Sequence, residues 1–103
     1  MIRHIVMWKV AGDNNAERLG ACRLVKEQFE SLAGKIPGLL HIEVGIDESR
    51  IDYASDVVLL SHFESQEALQ AYAEHPAHAA VQKVLLGLRI ARQQVDYLVP
   101  ERK

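Results

Sequence analysis

At 103 residues, with 49% apolar and 25% charged side chains, the chain has the size and balance of one soluble globular domain. Its 12 basic against 14 acidic residues leave no electrostatic footprint for nucleic acid or an anionic membrane surface. One cysteine excludes an internal disulfide, and no apolar run approaches the roughly 20 residues of a membrane span.

The opening Met1-Ile2-Arg3-His4-Ile5 has no long apolar core or small-residue cleavage site, so no signal peptide is expected and the compartment predicted is the cytoplasm. Residues 2–10 are rich in β-branched and aromatic types and predict a first strand. Gly12-Asp13-Asn14-Asn15 breaks it. Asn14 is a good helix N-cap, and Glu17 stands where a capping box needs it. The helix that follows carries Leu19, Cys22, Val25, Phe29, Leu32 and Ile36, one apolar stripe at the helical period. Cys22 lies on that stripe and reads as a small core residue rather than a nucleophile. Gly34 and then Pro37-Gly38 end the helix. Leu40, Ile42, Val44 and Ile46 alternate through a second strand, and a polar loop leads to a third, from about Asp56 to Phe63.

Ser65 is placed to cap a second helix, with Glu67 in its first turn. That helix reaches Tyr72-Ala73-Glu74-His75-Pro76-Ala77-His78, where two of the five histidines flank a proline. Pro76 removes a backbone donor and crowds the preceding turn, so the helix must kink or restart, with Pro76 as first residue of the new segment. Such a break can turn Tyr72, His75 and His78 towards one spot. Val81, Val84, Leu85 and Leu88 then form another apolar stripe, and Gln94 to Val99 alternate as a last strand. The order β-α-β-β-α-β predicts an α+β, ferredoxin-like subunit: a four-stranded antiparallel sheet with helices on one face. It spans residues 1–99 as a single domain, with 100–103 as a tail.

Helices cover only one face of such a sheet, yet the first and third strands are apolar on both. A bare apolar sheet face is rare on a soluble monomer, so two subunits are expected to close on each other as a homodimer, forming a barrel. The face bearing Val6, Trp8 and Phe63 is predicted to be the one buried between subunits. His4 shares its parity, so its ring is either hydrogen-bonded in place or lines a cavity.

Three segments together resemble the Dabb family, the stress-responsive dimeric α/β-barrel proteins. They are Ile2-Arg3-His4-Ile5-Val6-Met7-Trp8-Lys9, the Ile36-Pro37-Gly38 turn, and Tyr72 with His75-Pro76-Ala77-His78. The resemblance runs over residues 1–99. It implies a dimeric barrel with a cavity between each sheet and its helices or partner. A plant polyketide cyclase of this family performs an aldol condensation with a histidine and a tyrosine. By resemblance those roles fall on His78 and Tyr72, and that of a cavity histidine on His4. The cyclase's further histidine at the start of the third strand is replaced by Asp56-Val57-Val58, and its first-helix tyrosine has no counterpart.

Two functions follow as expectations. In one, a stress-responsive protein binds a small carbonyl or phenolic compound and acts on it by cofactor-independent acid–base chemistry, as a cyclase or lyase. His78 would be the base, Tyr72 its hydrogen-bond partner, and His4 a positioning group, with Val6, Trp8 and Phe63 as dry walls. In the other, the same barrel is a non-catalytic binding or structural module. A metal is not expected: His75 and His78 lack a third ligand at a recognisable spacing. His41 and His62, near strand ends, are expected to be solvated. No glycine-rich turn leads into a helix, so no phosphate or dinucleotide site is expected.

Overall fold

A computed structural model describes residues 1–100. The elements run β1 (Ile2–Val10), α1 (Asn15–Glu30), β2 (Leu39–Ile46), β3 (Val57–Phe63), α2 (Gln66–Glu74), α3 (Pro76–Val84) and β4 (Arg89–Leu98). The sheet order is β2-β3-β1-β4, with every neighbouring pair antiparallel. The tail expected at 100–103 falls, beyond Pro100, outside the described residues.

Local signals act as their chemistry requires. The Asn14 side chain accepts the Glu17 amide at 2.9 Å, while Glu17 reaches back to the Asp13 amide at 3.0 Å, one residue earlier than a standard capping box. Ser65 accepts the Ala68 amide at 3.1 Å. Helix α1 stops at Glu30, short of the stripe's end, but Leu32 and Ile36 stay buried in the turns that follow. Leu19 is 40% exposed and does not belong to the buried stripe. Gly38 has φ +81°, and a Cβ there would lie 2.6 Å from Ala68 Cβ, so only glycine lets α2 approach the start of β2.

Strand β2 is an edge. The amide of Val44 donates to Glu30 Oε2 at 3.0 Å and its carbonyl accepts from Lys26 Nζ at 2.8 Å. The Lys26–Glu30 pair thus caps backbone groups that would otherwise offer a pairing edge. The lysine bond, then the Val44 amide, hold the Glu30 carboxyl below its ordinary range.

The core lies between the helices and one sheet face, lined by Ile2, Val6, Trp8 and Val10 from β1 and Val57, Leu59 and Phe63 from β3. Trp8 stacks on Phe29 of α1, ring centroids 5.4 Å apart and 14° from parallel. This corrects the expected parity. The face of Val6, Trp8 and Phe63 packs inside the subunit against its own helices and cannot be the face between subunits. The uncovered face carries the other set: Ile5, Met7, Val58, Leu60 and Val95.

Candidate active site

His4 reaches the helix layer from the middle of the sheet. Asp96, its partner across the β1–β4 ladder, accepts a hydrogen bond from Nδ1 at 2.5 Å. Asp96 in turn accepts from Gln94 Nε2 at 3.0 Å. A carboxylate can only accept, so Nδ1 of His4 carries a proton and Nε2 points onward.

The second wall comes from the helix break. Helix α2 ends at Glu74, and His75 is extended (φ −71°, ψ 139°), as a residue before proline prefers. Pro76 then opens α3. His75 does not join the site: its Nδ1 accepts the Ala77 amide at 3.0 Å and caps α3. Tyr72, from the last turn of α2, and His78, from the first turn of α3, meet with ring centroids 4.6 Å apart. His4 lies 6.2 Å from the Tyr72 ring.

These three rings line one cavity of about 240 Å³, shared with Gln66, Gln82, Arg92 and Asp96. The Tyr72 side chain is almost wholly buried, and its hydroxyl has no hydrogen-bond partner among the described residues. Burial pushes that phenol well above its ordinary value, against the opposing pull of the Arg89 and Arg92 charges. Tyr72 therefore stays protonated and is a donor. Burial, then the Arg89 charge, lower His78 below the ordinary histidine value, while a bond to the Ala73 backbone works the other way. His78 is therefore a neutral acceptor near pH 7. One side chain can take a proton while its neighbour offers a hydrogen bond.

Val6, Trp8 and Phe63 do not line this cavity. Phe63 stands behind it, 5.0 Å from Tyr72 and 6.3 Å from His4. Val6 and Trp8 lie deeper in the core. A roomier hollow of about 700 Å³ sits over the uncovered face, lined by Met7, Tyr53, Val58 and Ala91 among others. Its titratable lining groups are Lys9, Asp47 and Tyr53, with no histidine among the described lining residues. His62 also departs from expectation: rather than being solvated, it is half-buried on the uncovered face, where Nε2 accepts from Arg3 Nε at 2.9 Å. Its ring lies 5.3 Å from that of exposed His41. Among the described residues, no group of three His, Cys, Asp or Glu side chains is placed to hold a metal ion, and no helix is long and apolar enough to cross a membrane.

Two contributors carry weaker sequence signals. Asp96 is the acidic residue of β4, and its role depends on a strand register that periodicity alone does not supply. Gln82 lies one turn after His78, at the spacing where helix side chains meet, and its Nε2 is 3.2 Å from His78 Nε2.

Comparison with known proteins agrees with this architecture. A dimeric ferredoxin-like protein of unknown function from Bacteroides fragilis is 33% identical, with a TM-score of 0.82 over 93% of each chain. The hydroxynitrile lyase of Passiflora edulis is 14% identical, with a TM-score of 0.78 over 99% of this chain and 95% of its own. An uncharacterised protein of Streptomyces coelicolor is 34% identical over 80 residues, 78% of this chain and 81% of its own. The sequence model of the stress-responsive A/B barrel domain matches residues 2–99. The chain belongs to that family, Dabb.

Proposed function

We propose that this protein binds a small carbonyl or phenolic compound between His4, Tyr72 and His78, and acts on it by acid–base chemistry that needs no cofactor. The observation that carries the reading is the Tyr72–His78 pair: a buried hydroxyl without a hydrogen-bond partner among the described residues, beside an imidazole held neutral by burial and the Arg89 charge. His78 takes a proton from the carbon next to a carbonyl. Tyr72 donates to the oxygen as enolate charge develops there. His4, held by Asp96, steadies the compound from the sheet side. A cyclase or a lyase reaction fits this division of labour, and in Passiflora edulis the same fold carries a hydroxynitrile lyase.

The working form in this reading is a cytoplasmic homodimer with the two uncovered faces closed into a barrel. The apolar residues Ile5, Met7, Val58, Leu60 and Val95 support it, and the relative from Bacteroides fragilis is dimeric. One observation favours the alternative of a binding module without turnover: about 240 Å³ is below the roughly 300–1,000 Å³ of drug-sized ligand sites.

Turnover of a panel of small aldehydes, ketones and phenolic polyketides decides between the readings. His78→Ala is expected to lower the rate of any substrate found by about 10²–10⁴, with thermal stability and assembly retained. Full activity in His78→Ala sinks the enzymatic assignment. Saturable binding without turnover across the panel leaves the binding module.

A further inference from the structure

We propose that Gln82 is a positioning residue for His78: its amide, turned by Arg89, holds the imidazole with Nε2 free of a proton. The inference rests on the reading of His78 as the base, because it says which ring nitrogen does that work.

The amide orientation follows from its partners. Arg89 Nη2 hydrogen-bonds Gln82 Oε1. A guanidinium has donors and no acceptor, so the atom facing it must be the amide oxygen. The amide nitrogen is then left facing His78 Nε2, at 3.2 Å. A ring nitrogen that meets an N–H must present its lone pair, so the proton of neutral His78 sits on Nδ1.

Arg89 is itself hard to move. Its guanidinium lies over Trp8, 4.8 Å from the ring centroid, and 5.7 Å from that of Phe29. Those two rings are stacked on each other in the core. A chain of contacts therefore runs from Phe29 and Trp8 through Arg89 and Gln82 to His78. It gives Trp8 a part in the site without touching the cavity. Around His78, Arg89 and Arg92 of β4, His4 of β1 and Tyr72 of α2 are the other charged or titratable groups, with Asp96 of β4 on the same cavity wall. Gln82 differs from all of them. It is uncharged and acts by direction.

Protonation of Nε2 would turn that nitrogen into a donor facing a donor. Gln82 thus works with burial and Arg89 to keep His78 neutral and its Nε2 lone pair available. When a substrate proton arrives, the amide must yield Nε2, and it can then donate to a substrate oxygen instead.

The test is a titration of the full chain followed in long-range proton–nitrogen spectra of the histidine rings, with His78 assigned through His78→Gln. The expected wild-type spectrum shows the tautomer protonated on Nδ1. Gln82→Leu removes the donor without changing charge and should raise the His78 pKa by about half to one pH unit, one neutral hydrogen bond's worth. Gln82→Glu replaces the donor by an acceptor and should raise it further, with Nε2 now protonated. Gln82 is only half-buried, so both variants should fold, and dispersed amide spectra will verify it. A wild-type ring protonated on Nε2, or variants that both titrate as the wild type does, overturns the proposal. If the variants shift as expected while His78→Ala retains turnover, the role of Gln82 stands and the catalytic reading alone falls.

Discussion

The two faces of the sheet are made from the same strands, with successive residues pointing opposite ways, and both are apolar at their centres. On the helix side Val6, Trp8, Leu59 and Phe63 are at most 3% exposed. On the other side Met7 is 38% and Val95 52% exposed, and nothing among the described residues covers them. One face has a partner attached through the chain, and the other must find one elsewhere. Injury to the first should cost folding, whereas injury to the second should cost assembly.

The strongest way to break that contrast is a matched pair of charge substitutions. Trp8→Glu removes the ring that stacks on Phe29 and buries a carboxylate in its place. Truncating a large core aromatic alone costs about 3–5 kcal/mol, so the variant should not fold cooperatively, as circular dichroism during urea unfolding would show. A Trp8→Glu protein that unfolds like the wild type contradicts the assignment of faces. Leu60→Glu lies one strand over on the uncovered face and should leave the subunit folded. Losing burial of one aliphatic side chain, about 1.5–3 kcal/mol, should raise a dimer dissociation constant by about tenfold or more. Sedimentation velocity on a dilution series measures it. An unchanged constant would mean that the uncovered face is not the one that pairs.

Acid probes both faces at once. His78 on the helix side and His62 on the uncovered side are each lowered below the ordinary histidine value, burial being the largest cause. A histidine with a lowered folded-state pKa favours the folded state while neutral. Its contribution is complete above the unfolded value of about 6.5 and is lost as pH falls through the folded value. Stability from urea midpoints should therefore begin to drop just below neutrality. Glu30, also lowered, should bring a second decline in the carboxylate range, as pH falls through its folded value. His62→Asn and His78→Asn should each flatten the first step. Stability that rises on mild acidification would refute the argument.

The smallest effect belongs to Cys22, which is 1% exposed on the core side of α1. Burial raises its thiol, and the Asp56 charge adds to that, so a thiol reagent should label it only at the rate of global unfolding. Fast labelling of the native protein would place this cysteine on the surface.

Element order, the N-caps Asn14 and Ser65 and the restart at Pro76 were legible in the chain because each depends on residues near one another in sequence. The parity of β1 was not. Val6 and Trp8 alternate with Ile5 and Met7, so an apolar pattern alone does not tell inside from outside. The polar residues hold the answer. His4 can meet Tyr72 and His78 only if its parity faces the helices, and that excludes the same parity from an interface between subunits. The three rings that line the cavity could be named from the chain, but their supports could not. Asp96 reaches His4 through a ladder between the first and last strands, and Arg89 reaches Gln82 across a turn and a bulged register. Such contacts are fixed only when the sheet closes.

Pro76 shapes the candidate site although it does not line the cavity. Along an unbroken helix, six residues advance about 600°, roughly 240° past a full turn, so Tyr72 and His78 would point about 120° apart around one rod. The extended backbone at His75 cancels that rotation and lays the two rings 4.6 Å apart. The spacing of the proposed donor and base therefore depends on the extended ψ of His75, the residue before proline. Drift in the sequence of either helix can reshape the cavity while leaving that pair in register.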